Sequence, residues 1–527
     1  MCKSSSSSSS SPKTSVPNAK VVVANHSGSD EDPFLDSEQT SLSHLAPLSS
    51  SFKEAKSIFS ISFPLVLMGL LLYVRSMISM LFLGRLGSLP LAGGSLAIGF
   101  ANITGYSVLS GLAVGMEPIC SQSHGAGRPH LLGSALRRTT ALLLSASLPI
   151  SLLWLSMRRI LLFCRQDPSI ASAAHSFILF SLPDLLLQSI LHPLRIYLRT
   201  QSITLPLTAT AAAASLFHFP INLLLVSHLR LGIPGVALST VLTNLNLVLL
   251  ILAYIHFTGL HQRTSPAPND DDFFSPDGWR PLLSLAFPSC ASVCLEWWWY
   301  EIMVLLCGLL LHPQSTVASM GVLIQTTSLI YLFPHSLAAG VSTRVGNELG
   351  ANQPERARRS AKVGLGLAGL LGLTAFLFSF SVRHVWARLF TTDPEIVRLT
   401  ASVLPILGLC ELGNCPQTAG CGVLRGSARP RAGANINLGS FYVVGMPVAV
   451  VLAFWAGFDF RGLWLGLLSA QATCVVLMLV VIARTDWESQ ADRAQSITGG
   501  CGQFDMFSVS CEEDGLDCKP INIKVEH

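Results

Sequence analysis

Charge is what this sequence has least of. Only 12% of its 527 residues are Asp, Glu, Lys or Arg, while 50% are hydrophobic, and so few charges cannot cover a water-soluble body of this size. That excludes a soluble globule and points to a chain built into a lipid bilayer. The 34 basic residues stand almost balanced by 30 acids and form no block of the kind that grips a polyanion, so no nucleic-acid partner is expected. Metal-ligand spacing is lacking too. His124, His192, His218 and His335 belong to separate apolar segments, and Cys290, Cys294, Cys410, Cys415 and Cys421 sit in or beside apolar runs as small packing thiols. No HExxH or GxSxG stretch occurs, so neither metal, cofactor nor enzymatic activity is expected.

What is present is a succession of apolar segments long enough to cross roughly 30 Å of hydrocarbon at about 1.5 Å per residue. They fall at about 55–83, 91–116, 131–156, 171–192, 203–227, 235–257, 281–311, 317–341, 363–381, 396–421, 433–456 and 463–483. The chain therefore reads as an all-α integral membrane protein with twelve transmembrane helices. Residues 1–51, with the serine run Ser4 to Ser11, are too polar to bury a core and read as a disordered tail, and residues 486–527 as a second one. An even number of crossings puts both tails on one side. Short loops assigned to that side carry Arg128, Arg137, Arg138, Arg195, Arg199, Arg344, Arg356, Arg358, Arg359, Lys362 and Arg425, a denser set than the opposite loops hold, so both tails are expected in the cytosol.

The chain also repeats itself. "GLAVGMEPICSQSHGAG" from Gly111 aligns with "SLAAGVSTRVGNELGAN" from Ser336, and "YLRTQ" from Tyr197 with "VLRGS" from Val423. This period divides the chain into an N-terminal six-helix lobe, 52–258, a cytosolic linker, 259–280, and a C-terminal six-helix lobe, 281–485. Two bundles with the same topology imply a pseudo-two-fold axis along the membrane normal, an arrangement suited to alternating access.

"GMEPICSQSHGAG", "CLEWWWYE", "VSTRVGNELGAN" and "CGVLRGSARP", in that order, closely resemble the multidrug and toxic compound extrusion (MATE) family in its plant form, across residues 52–485. The resemblance implies the MATE fold and a secondary antiporter. Such a protein expels organic cations, alkaloids, phenolics, hormones or organic acids against an inward flow of protons or sodium. A monomer is expected, in the plasma membrane or a vacuolar or endosomal membrane. An anion channel or a lipid flippase of the same superfamily is the alternative. The flippase would need interior basic residues for phosphates, and only Arg75 reads as deep within a span.

Intramembrane acids are the candidate coupling groups, because a carboxylate in low dielectric is readily held neutral and so exchanges protons where one in water would stay charged. Glu296 lies midway along the seventh segment, and Glu301, five residues on, points about 140° away around the helix. Glu411 lies midway along the tenth, near Pro416. By the resemblance, Glu296 and Glu411 match the family's acids of the C-terminal half, where proton and substrate compete. Where bacterial members carry a first-helix aspartate this chain has Ser79. Asp184, mid-segment, is a further proton site, whereas Glu117 reads as well for a helix cap as for transport. Gln325, Tyr331 and Asn435 are candidate cavity residues, with Asn437 beside them. Trp297, Trp298 and Trp299 cannot all face a substrate. Arg344, Asn347 and Glu348 suit a gate or an anchor.

Overall fold

The computed structural model describes residues 33–265 and 273–499, with side chains from Ser49 onward. Described residues 33–50 are helical and belong to a unit of their own. The serine run lies outside the described residues. Helix over 33–50, where a tail was expected, follows from Pro33 at a first helical position and the absence of Gly or Pro from there to Ala46.

The second unit contains the twelve membrane-length helices: α1 Ser49–Leu86, α2 Ser88–Gly125, α3 His130–Leu155, α4 Pro168–Thr200, α5 Leu205–His228, α6 Ile233–Phe257, α7 Pro276–Cys307, α8 Pro313–Gly350, α9 Pro354–Val382, α10 Pro394–Gly426, α11 Pro430–Trp455 and α12 Asp459–Ala483. No strand occurs among the described residues. The sequence repeat reappears in the caps. Asp167 accepts from the Ser169 and Ile170 amides at 2.8 and 3.2 Å, and Asp393 from those of Glu395 and Ile396 at 2.8 and 3.4 Å. Each is followed by a proline at the first helical position, where a missing N–H costs nothing, so α4 and α10 start identically.

Several helices outrun their apolar cores. α4 extends to Thr200 and α10 to Gly426, which places Arg195, Arg199 and Arg425 within helices rather than in the loops expected from hydropathy. The long methylene stems of arginine let a helix continue past its apolar core while the head finds a partner inside.

Two hydrophobic cores result. One gathers Leu83, Leu109, Trp154, Leu185 and Ile251 with Leu282 and Ala286 of α7. The other gathers Trp299, Leu323, Leu404, Phe441 and Trp464 with Ile58 of α1. Each core thus borrows from the helix that opens the other half. Between them α2 and α8 cross with their backbones in contact. A Cβ on Gly125 would stand 1.9 Å from the Asn347 carbonyl oxygen, and one on Gly350 2.0 Å from that of Gln122. Residues 122 and 347 are repeat mates, as are 125 and 350, so the seam obeys the pseudo-two-fold. Gln122 Nε2 also donates to the Gly426 carbonyl at 2.9 Å.

Beyond α12 the chain forms one more helix, α13 Trp487–Thr498, capped by Asp486. The expected tail is therefore helical over these residues. Trp487, Ala491 and Ala494 are buried, Gln495 Nε2 donates to the Gly350 carbonyl at 2.8 Å, and Arg128 Nη1 donates to that of Thr498. The spacing of Trp487, Ala491, Ala494 and Thr498 on one helical face was the signal for it. Residues 500–527 lie outside the described residues.

The seam predicts a sharp contrast between glycines. Gly125→Ala and Gly350→Ala should each destabilise by about 1–3 kcal/mol through overpacking, read as a lower Tm of the purified protein. Gly366→Ala, whose Cβ would meet nothing within 4 Å, should leave Tm unchanged or raise it.

Candidate transport site

α7 brings Glu296 to a cavity of about 60 Å³ between the halves. Ser110 and Val114 of α2 close it on one side; Tyr331 and His335 of α8 and Thr418, Cys421 and Arg425 of α10 close it on the other. That volume holds a few waters and is far below the 300 Å³ or so that an organic ligand needs, so the helices must part to admit a substrate. A second cleft, about 830 Å³, opens at the α9–α10 loop among Arg383, His384, Arg388 and Arg398. No carboxylate lines it and it is remote from Glu296, so its size is no argument for transport.

Glu411 is buried on α10, where Asn414 Nδ2 donates to its Oε2 at 2.8 Å. Asn414 Oδ1 accepts in turn from Thr418 Oγ1 and from Gln471 Nε2 of α12, both at 3.4 Å. Thr418 lines the Glu296 cavity. A file of polar groups one helical turn apart thus runs from Glu411 to the wall of the Glu296 cavity, and Tyr300 stands within electrostatic reach of both acids. Asn414 and Gln471 escaped sequence reading. Asn414 was detectable, three residues beyond Glu411 on the same helix face.

Other candidates separate. Tyr331 lines the cavity. Gln325, further along α8, accepts a 3.4 Å hydrogen bond from the Tyr73 hydroxyl of α1 instead. Glu301 is half-buried and does not face the cavity. Asn435 is exposed, whereas Asn437 is buried and its Nδ2 donates to Ser292 Oγ at 3.1 Å; two residues apart on a helix they point nearly opposite ways, and neither lines the cavity. Trp297 lines the cavity, Trp299 packs against Phe441 and Tyr442, and Trp298 Nε1 donates to the Ile103 carbonyl at 3.2 Å.

The N-terminal half holds its own polar cluster. Asp184 accepts from Asn244 Nδ2 at 2.6 Å and from the Tyr106 hydroxyl at 2.8 Å, and Arg75 Nη1 donates to Asn244 Oδ1 at 2.5 Å. Asn244 thus stands between the Arg75 guanidinium and this acid. Ser79 shares a 3.0 Å hydrogen bond with His218 Nε2. No set of three or more His, Cys, Asp or Glu among the described residues is arranged to hold a metal ion.

Glu117 is no helix cap. It is wholly buried at the seam and forms an ion pair with Arg199 of α4 at 2.9 Å. Nearer the chain ends, Arg344 Nε and Nη2 of α8 donate to the two oxygens of Glu54 on α1 at 2.8 and 3.0 Å, and Arg344 also pairs with Glu348. Ser360 Oγ adds a third bond to Glu54 at 2.8 Å. Arg344 is thereby a clasp between the halves.

Twelve helices in two like halves, meeting around buried acids and a closed internal cavity, define a membrane transporter. The sequence model of the MatE family matches residues 64–224 and 288–451. Protein DETOXIFICATION 49 of Arabidopsis thaliana is 65% identical over 473 residues, 89% of this chain and 94% of the relative. Protein DETOXIFICATION 48 of the same plant is 60% identical over 465 residues, 88% of this chain and 87% of the relative. The crystal structure of the eukaryotic MATE transporter AtDTX14 matches with a TM-score of 0.80 at 30% identity, covering 85% of this chain and 100% of that one. The Vibrio cholerae MATE transporter VcmN in its bent form shares the fold, with a TM-score of 0.72 at 16% identity over 85% of this chain and 99% of that one. The chain belongs to the MATE family, a family of transporters and not of enzymes.

The clasp gives a stability prediction. Glu54→Gln removes the charge from a three-donor acceptor and should destabilise by about 1–3 kcal/mol, seen as a lower Tm. Lys53→Gln, at an exposed neighbour, should change Tm little.

Proposed function

We propose that this transporter is a proton-coupled antiporter that exports organic compounds from the cytosol, with Glu296 and Glu411 exchanging protons against substrate. The observation that carries the reading is Glu296 on the wall of a small cavity between the halves, with Thr418 on the same wall and bonded through Asn414 to Glu411. Neutralising a carboxylate in that setting removes a large desolvation cost. A proton and an organic cation can each do so, but not both at once, and this exclusion couples their movements. The moving bodies are the lobes 52–258 and 281–485, parting about the α2–α8 seam, with the chain ends on the cytosolic side as the basic loops suggest. Asp184 is held by Asn244 and Tyr106, with Arg75 one amide away, and its cluster serves as a supporting element beside the coupling acids.

Uptake of labelled organic cations, flavonoids, hormones and organic acids into proteoliposomes under an imposed pH gradient tests the proposal. At least one class should accumulate only with the gradient, and Glu296→Gln should reduce that uptake to background with protein abundance unchanged. Glu411→Gln should weaken binding of the transported cation and flatten its pH dependence. Gradient-driven uptake that survives Glu296→Gln would remove that residue from the mechanism, and an anion current without uptake would point to a channel. A sodium gradient replacing the proton gradient identifies the coupling ion.

A further inference from the structure

Arg425 is the only arginine on the wall of the Glu296 cavity. It stands in the last turn of α10, one residue before Gly426, whose carbonyl takes the hydrogen bond from Gln122 and whose Cα lies against the Ser342 carbonyl of α8. Its Nε donates to the Cys421 carbonyl of its own helix at 3.3 Å. Both Glu117 and Glu296 are within its electrostatic reach, yet among the described residues it closes an ion pair with neither. Glu117, for its part, is held by the Arg199 ion pair at 2.9 Å, with the Ser342 hydroxyl beside it. It retains acceptor capacity for a second guanidinium.

Resting on the reading of Glu296 as a coupling acid, we infer that Arg425 is the positioning residue that carries the charge state of Glu296 to the seam between the halves. When Glu296 is ionised, the guanidinium is divided between a carboxylate of its own half and one across the seam. When a proton or a substrate cation neutralises Glu296, that pull is lost and Arg425 settles on Glu117, adding an ion pair between α10 and α2. Loading the cavity and tightening the seam become one electrostatic event. The other groups facing Arg425 fit this role. Arg199 of α4 repels it while holding Glu117 in place; Tyr331 and His335 of α8 and Cys421 of α10 face it, and of these only His335 can become a competing cation.

The test is hydrogen–deuterium exchange of the full chain in lipid nanodiscs at alkaline pH, following segments 117–125 and 342–350, with transport measured in parallel. Glu296→Gln fixes the neutral state and should slow exchange of both segments about five-fold or more relative to wild type. In an Arg425→Gln background, or with Glu117→Gln, the same change should have no effect on the seam. Arg425→Lys, which keeps the charge, should retain the slowing in weaker form and guards against misfolding of the neutral variant. Slowing that persists without Arg425 overturns the inference. If Glu296→Gln silences transport but leaves seam exchange unchanged, the inference falls and the antiport reading stands; if transport survives Glu296→Gln, both fall.

Discussion

The backbone contact between α2 and α8 is the constraint on which the rest of this structure depends. Gly125 and Gly350 let two long helices approach until carbonyl oxygens occupy the space of side chains. Only glycine permits that approach, because any Cβ would overlap a backbone atom that no rotamer change can move. Once the helices touch there, the first turns of α1 and α7 are drawn into the opposite cores, through Ile58 on one side and Leu282 and Ala286 on the other. The clasp from Glu54 to Arg344 and the hydrogen bonds from α13 then lie over the same end of the molecule. Closure at this end is therefore distributed over packing, hydrogen bonds and charge.

Charge inside such a fold has to be balanced, since an isolated ion in low dielectric is very costly. The interior acids Glu117, Asp184, Glu296 and Glu411 face the interior arginines Arg75, Arg195, Arg199 and Arg425. The balance is not local. Glu117 is in an ion pair with Arg199, whereas Asp184 meets Arg75 only through Asn244, Glu411 has Asn414 and its polar neighbours, and Glu296 has Tyr331 and Gln417 with Arg425 near it but unpaired. The acids without a fixed partner are the ones whose charge a mobile proton or cation can settle. This distinguishes the C-terminal acids from Glu117 on physical grounds.

Much of the fold was legible because a bilayer enforces it: twelve apolar runs and an internal repeat specify two six-helix halves in the same topology. Glu296, Tyr331 and Glu411 were legible as rare polar groups in such runs. The interior arginines were not. Hydropathy ended the fourth and tenth segments before Arg195 and Arg425, whereas the helices run on and fold those charges inward, so the argument that set aside a flippase for want of interior basic residues loses its premise. Between Asn435 and Asn437 the sequence had no means of choosing: two residues decide the face of a helix, and nothing in a short polar segment fixes its rotation. Partners in other helices, such as Gln471 for Asn414 or Glu54 for Arg344, depend on packing that no local pattern encodes.

Repetition and function pull in different directions here. The repeat is kept where the halves must fit: Gly125 with Gly350, Gln122 with Asn347, Asp167 with Asp393. It is broken where charge resides. Glu117 aligns with Ser342 and both face the seam, while their arginine neighbours Arg199 and Arg425 are themselves repeat mates. One carboxylate therefore stands on the pseudo-axis between two equivalent cations, and a second acid, Glu296, acts on only one of them. A frame with two-fold symmetry has no intrinsic reason to respond differently to what enters one half. Glu296, whose repeat mate is a leucine, supplies that reason, because it makes the attraction across the seam depend on the charge of one cavity.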